Sequence, residues 1–292
     1  MQLFDSHAHC SDPLLLDKIP DHLTEAKYCS ISDILSICTD LVTLEKGYEL
    51  ANESNRDAGG TESNQVPKIH LAAATGPCDV VKEGAIFWPH IEQAARSGKL
   101  VAIGEMGIDL FWEQASLSAQ REYFSACCAL ALECELPLVI HCRDANMETK
   151  AFDTVVADLD RLYLGKNGAR SVVFHCFSYS RREMQILRER GIYLSITGVV
   201  TYKNAQELKE VTKAVDAKGY LLETDAPYLT PRPRSLLKNV LQEKPQLNLS
   251  INRSSFLKVT AEYVAQLRGV PLEQVALETT SNARAFLGLV SV

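Results

Sequence analysis

The stretch "LPLVIH", residues 136–141, packs four apolar side chains around a proline and ends in a histidine. It is too short for a helix, and its apolar residues fall on both faces of an extended chain. A strand of that kind is covered on both sides, as in a parallel sheet flanked by helices. Seven further runs share the pattern: "LFDSH" (3–7), "SDILSI" (32–37), "KIHLAA" (68–73), "LVAIGE" (100–105), "SVVFH" (171–175), "GIYLSI" (191–196) and "YLLETD" (220–225). Helical patterns lie between them. Residues 118–135 carry Tyr123, Cys127, Leu130 and Cys134 near helical spacing, with Ser116 or Ser118 able to cap the start. Residues 254–268 and 271–289 supply further helix. Eight strand–helix pairs in 292 residues favour an α/β fold, a closed (β/α)8 TIM barrel forming a single domain over 1–292, rather than an open sheet. Two polar stretches, 52–65 and 230–250, read as surface loops.

Composition sets the outer limits. With 46% hydrophobic and 23% charged residues, the chain can build a large core. A net charge of −7 argues against wrapping duplex nucleic acid on a basic surface, but permits a strand held locally in a cleft. No apolar run is long enough for a membrane, and the N-terminus lacks a signal-peptide pattern. The expectation is a soluble cytoplasmic protein, a monomer, whose nine cysteines are reduced thiols.

The strand ends carry the chemistry. The first run leads to His7 and His9, which share one face of an extended chain. The fourth ends in Glu105, the fifth in His141, the sixth in His175 and the eighth in Asp225. In a barrel these ends meet at one rim, where active sites of this architecture lie. Alternation pairs Val139 with His141, Val173 with His175 and Ile103 with Glu105, each an apolar residue beneath a ligand. The other histidines, His22, His70 and His90, do not fall at such ends, and Cys142 and Cys176 should point away from the rim. Taken singly, each ligand has an ordinary structural reading: His141 as a core histidine, Glu105 or Asp225 as a cap. Their joint placement favours a pair of divalent cations, which would polarise the attacked group and activate water.

With those residues in place, the chain resembles the TatD-type metal-dependent deoxyribonucleases, a branch of the amidohydrolase-like barrels. The motifs are "DSHAH" (5–9), "IGEMGID" (103–109), "LPLVIHCRDA" (136–145), "HCFS" (175–178), "ETDAPYLTP" (223–231) and "TTSNARAFLGL" (279–289), in family order over nearly the whole chain. The resemblance implies His7, His9, Glu105 and Asp225 on one metal, and Glu105, His141 and His175 on the other. It also implies two divalent cations (magnesium, manganese or zinc) and hydrolysis of DNA phosphodiesters, 3'-5' exonuclease-like, on single-stranded DNA or ends. Glu105 and Asp225 would be catalytic, with Asp225 accepting a proton from the attacking water. Arg143 would present a planar fork to a phosphate, and Asp5 and Glu223 would hydrogen-bond the ligand imidazoles.

Three places depart from the family pattern. The family's Gly-x-His-Pro after the third strand becomes "ATGPCD" (74–79), read with Gly76 in the histidine's place. Tyr179 stands where a glycine is usual, and 231–255 replaces an Arg-rich segment. The alternative is a small-molecule amide, lactone or phosphoester hydrolase on the same cage. Many such barrels bridge their metals with a modified lysine on the fourth strand, and Glu105 at that position favours the nuclease branch.

Overall fold

Every apolar run quoted above forms a strand in the computed structural model, which describes residues 1–16, 18–56, 66–112, 114–146, 148–237 and 248–289. They are β1 (Leu3–Ala8), β2 (Ile31–Cys38), β3 (Lys68–Ala73), β4 (Ala102–Asp109), β5 (Leu138–Arg143), β6 (Val172–Phe174), β7 (Tyr193–Ile196) and β8 (Tyr220–Leu222). They form one eight-stranded sheet in sequence order, with each neighbouring pair parallel. The barrel closes just beyond β8: Asp225 N donates to His7 O (2.9 Å), and His9 N donates to Ala226 O (2.7 Å). Ser6 Oγ adds a bond to Leu222 O at 2.9 Å.

Helices wrap the outside: α1 (Ile19–Tyr28), α2 (Leu41–Arg56), α3 (Ala85–Arg96), α4 (Leu117–Cys134), α5 (Lys150–Leu162), α6 (Arg181–Glu189), α7 (Gln206–Ala214), α8 (Leu257–Arg268) and α9 (Leu272–Phe286). Of the two candidate caps for α4, Ser116 is the one used, accepting from Ala119 N at 3.2 Å. One expected loop shrinks. Residues 52–56 continue α2, where the Ser54 hydroxyl accepts from Ile69 N (3.2 Å) and ties the helix end to β3. The rest of that stretch, 57–65, lies outside the described residues, as do 238–247 of the second loop.

The apolar residues sort into two layers. Between sheet and helices lies a broad outer core. Inside the barrel, Phe4, Leu35, Ala72, Ala102, Val139, Val173 and Leu221 meet, and Phe286 and Leu287 close the floor. Val139 and Val173 therefore face inward beneath His141 and His175, as alternation requires. Ile103 does not, because it belongs to the outer core. The reason is a register shift between Ile103 and Met106 in the β4–β5 ladder. At Gly104, with φ of 150°, a Cβ would stand 2.6 Å from Val139 Cβ, so only glycine fits this irregularity. Ala102 thus takes the inward position below Glu105.

Candidate metal centre

The six side chains expected at the rim converge there, through three local devices. The β4 irregularity turns Glu105 inward. Asp225 has a left-handed backbone (φ 55°), which aspartate tolerates better than most residues, with its N–H fixed to β1. At the end of β6, Cys176 (φ 48°) turns the chain just after His175, its N–H donating to Glu223 Oε1 at 2.6 Å.

Glu105 Oε2 sits at the centre. It lies 2.8 Å from His175 Nε2, 3.5 Å from His7 Nε2 and 3.9 Å from His141 Nδ1. Asp225 Oδ1 lies 3.6 Å from His7 Nε2 and 3.4 Å from His9 Nε2. The His7 and His175 rings stack with centroids 4.0 Å apart, and His141 Nδ1 is 3.2 Å from His175 Nε2. Two groups, His7/Glu105/His175 and His7/His9/Asp225, bring their ligand atoms within 4.8 Å of one another. His141 joins through Glu105 and His175.

These residues fit a divalent cation on two observations. First, His7 is fully buried, yet neither ring nitrogen has a hydrogen-bond partner among the described residues, and His175 Nδ1 is likewise unsatisfied. Each such group costs about 1–3 kcal/mol when left bare. Second, the 3.4–3.6 Å separations around Asp225 match the edge of a tetrahedron about an ion with bonds near ~2.1 Å, roughly 3.4 Å.

Electrostatics describe the same centre. Burial pushes the Glu105 carboxyl up, but the surrounding histidines outweigh it and hold it well below its usual range. Burial and the neighbouring His175 keep His7 neutral. His175 is pushed the other way: burial opposes its charge, but Glu105 and Glu223 raise it well above the usual histidine value. Burial also opposes charge on His9 and His141, which Asp225 and Asp109 respectively overcome, so both are raised. A cation bound here would displace those protons.

Asp109 has no assigned role in the sequence reading. It ends β4, and its Oδ2 lies 2.9 Å from His141 Nε2, so Nδ1 faces the cluster. Its other oxygen accepts from Phe111 N (2.8 Å) and Trp112 N (2.9 Å), and Gln120 binds its backbone. This is the carboxylate support that ligating histidines commonly have.

Two expected supports behave differently. Asp5 binds no imidazole. It accepts from Thr224 N (2.9 Å) and Thr224 Oγ1 (2.7 Å), tying β1 to the segment after β8, and burial raises it to about 7. Glu223 Oε1 is 3.6 Å from His175 Nδ1, since its short bond goes to Cys176 N instead.

The cleft above this cluster holds about 300 Å³. Arg143 lines it, its guanidinium lying 3.8 Å over the Phe111 ring. Trp112 and Tyr228 stand half-exposed at its mouth. Cys142 and Cys176 do not line it. Their sulfurs face Tyr179 Oη (3.2 Å) and Thr197 Oγ1 (4.0 Å), and Tyr179 in turn donates to Asp144 Oδ2 (2.8 Å). Gly76 does reach the cleft. With Gly76 as the motif's own glycine, however, Cys78 takes the histidine's position, and it too lines the cleft. Its thiol is pushed to about 12 by burial and then by Asp109 and Asp79.

Comparison with known proteins gives a consistent picture. The family model described as TatD related DNase matches residues 4–288. The chain is 30% identical over 286 residues to the uncharacterized metal-dependent hydrolase YabD of Bacillus subtilis (strain 168), covering 97% of each. It is 35% identical over 202 residues to the 3'-5' ssDNA/RNA exonuclease TatD of Erwinia amylovora, covering 68% of this chain and 70% of that one. Among solved structures, the TatD homologue YJJV of Escherichia coli k12 superposes with a TM-score of 0.80 at 20% identity, covering 99% of this chain and 98% of that one.

Proposed function

The chain belongs to the TatD related DNase family, and from that membership we propose that its rim holds two divalent cations and hydrolyses phosphodiester bonds at single-stranded nucleic-acid ends. It is a metal-dependent hydrolase by family. The observation that carries the reading is the buried, unpartnered His7 ring gathered with Glu105 and His175 on one side and with His9 and Asp225 on the other.

In this reading His7, His9, Glu105 and Asp225 hold one cation and Glu105, His141 and His175 the other. Bound divalent cations supply Lewis acidity toward a phosphate and lower the pKa of water. The chain's own groups do the rest. Asp225 keeps Oδ1 toward His7 and His9, leaving its second oxygen to accept the proton of the attacking water. Arg143, braced on Phe111, turns its planar fork to the non-bridging oxygens. Asp109 fixes His141 so that only Nδ1 faces inward.

The substrate follows from the cleft's shape. A pocket of about 300 Å³ is small-ligand sized, which suits the end of a strand better than the middle of a duplex. Trp112 and Tyr228 offer ring faces to unpaired bases. Buried thiols such as Cys38, Cys127 and Cys128 fit a reducing, cytoplasmic compartment, and no helix among the described residues is long and apolar enough to cross a membrane.

Metal-stripped protein should regain cleavage of single-stranded oligonucleotides when magnesium or manganese is added. Glu105→Gln and Asp225→Asn should each lose activity by about a hundredfold or more, at unchanged melting temperature. Full activity in both variants, or hydrolysis of lactones and amides without any of oligonucleotides, would replace this reading.

A further inference from the structure

Further round the same rim, a larger cavity of about 1030 Å³ opens between the segments that follow β7 and β8. Gly198 begins the helical turn Gly198–Thr201 and lets the two segments touch: a Cβ there would stand 2.7 Å from Leu229 O. Thr201 Oγ1 accepts from Arg232 N (2.7 Å), and the Tyr202 hydroxyl donates to Thr230 O (3.0 Å). This frame carries three cations. The Arg232 guanidinium lies 5.0 Å over the Tyr202 ring, Lys209 Nζ donates to Tyr202 O at 2.7 Å, and Lys203 stands exposed beside them. No carboxylate is among the described residues that line the cavity. In a chain of net charge −7, three positive groups sharing one concavity, with no carboxylate among the described residues of its wall, form a local field that attracts anions.

We propose that this cavity is a second anion site, taking a phosphodiester of the same nucleic-acid strand whose end lies in the metal cleft; this rests on the nuclease reading above. The two sites are continuous along the chain, since Tyr228 lines the metal cleft and Leu229, the next residue, lines the cavity. A strand leaving the cleft past Tyr228 would meet Arg232 and the two lysines on its backbone. Tyr263, also on the cavity wall, would supply a ring for a base. The cavity would therefore set how strongly longer strands bind, while the metal cleft performs the cleavage.

The test compares the wild-type chain with a Lys203→Gln, Arg232→Gln double variant on a dinucleotide and an octanucleotide. The octanucleotide KM should rise roughly tenfold, and removing two phosphate contacts should flatten the slope of log binding against log salt by about 1.4. The dinucleotide KM, and kcat for both substrates, should stay unchanged. Equal effects on both substrates, or none on either, overturn the proposal. Fluorescence anisotropy of a labelled octanucleotide on chelator-treated protein reads the same site without catalysis. If the wild type cleaves nothing, the nuclease reading fails, and this arm still decides whether the anion site exists: weaker binding by the double variant supports it, and equal binding rejects it. Inorganic phosphate that binds the wild type as tightly as the octanucleotide does would make this a free-anion site and reject the strand.

Discussion

Asp109 is the side chain that orients His141 in the centre, and it was within reach of the sequence. It sits four residues after Glu105 on one strand, and period-two alternation puts both on the same face. What hid it is that supporting carboxylates have no spacing rule of their own; they are recognised only when the ring they hold is seen. Asp5 shows the converse. It has the spacing of a support, yet its carboxylate is consumed by Thr224. Replacing Asp109 by Asn should leave the fold intact but weaken metal affinity by about 10–100-fold, measured by chelator competition. The same variant should lower the His141 pKa in the metal-free protein. Burial already opposes charge on that ring, and the Asp109 hydrogen bond is the first of the contributions holding it up.

Strand β4 shows where element-level reading succeeds and where it stops. Its position and the carboxylate it brings to the rim, Glu105, were legible from "LVAIGE". Its face assignments were not, because Gly104, with φ of 150°, breaks the alternation, and the register slips against β5 there. At Gly107 a Cβ would stand 1.9 Å from His141 O, so the close approach of the two strands depends on glycine there as well. At the other end of the barrel, β2, β3 and α9 are joined by Asp33, which lies 2.9 Å from His70 Nε2 and accepts from Arg284 at 3.1 Å. Burial pushes Asp33 up, but the His70 and Ser32 hydrogen bonds and Arg284 leave it below its usual value. A carboxyl depressed on folding stabilises above its unfolded pKa, and that contribution is lost as pH falls through the folded value. Asp33→Asn should therefore cost about 1–3 kcal/mol at neutral pH. The difference should shrink below about pH 4, as read from urea melts across pH.

The barrel as a unit was the most legible feature. Eight apolar runs and the helices between them fix strand number and order, because a strand covered on both faces needs a helix on one side and a filled interior on the other. The convergence of the six side chains on one rim was legible for the same reason, since each ends or closely follows one of the apolar runs and all strands point one way. The loops were not, because their course is set by contacts such as Gly198 against Leu229 that no periodicity encodes. That same contact sets the cavity that brings Arg232 together with Lys203 and Lys209. What the whole reading depends on is that six side chains from five strands and their extensions grip two ions together. Manganese soaked into crystals and located by anomalous scattering addresses it. Two peaks should appear at the rim, roughly 3.5–4 Å apart, with Glu105 touching both. A single peak, or peaks that do not touch His7, His9, His141, His175 and Asp225, is incompatible with a shared two-ion centre.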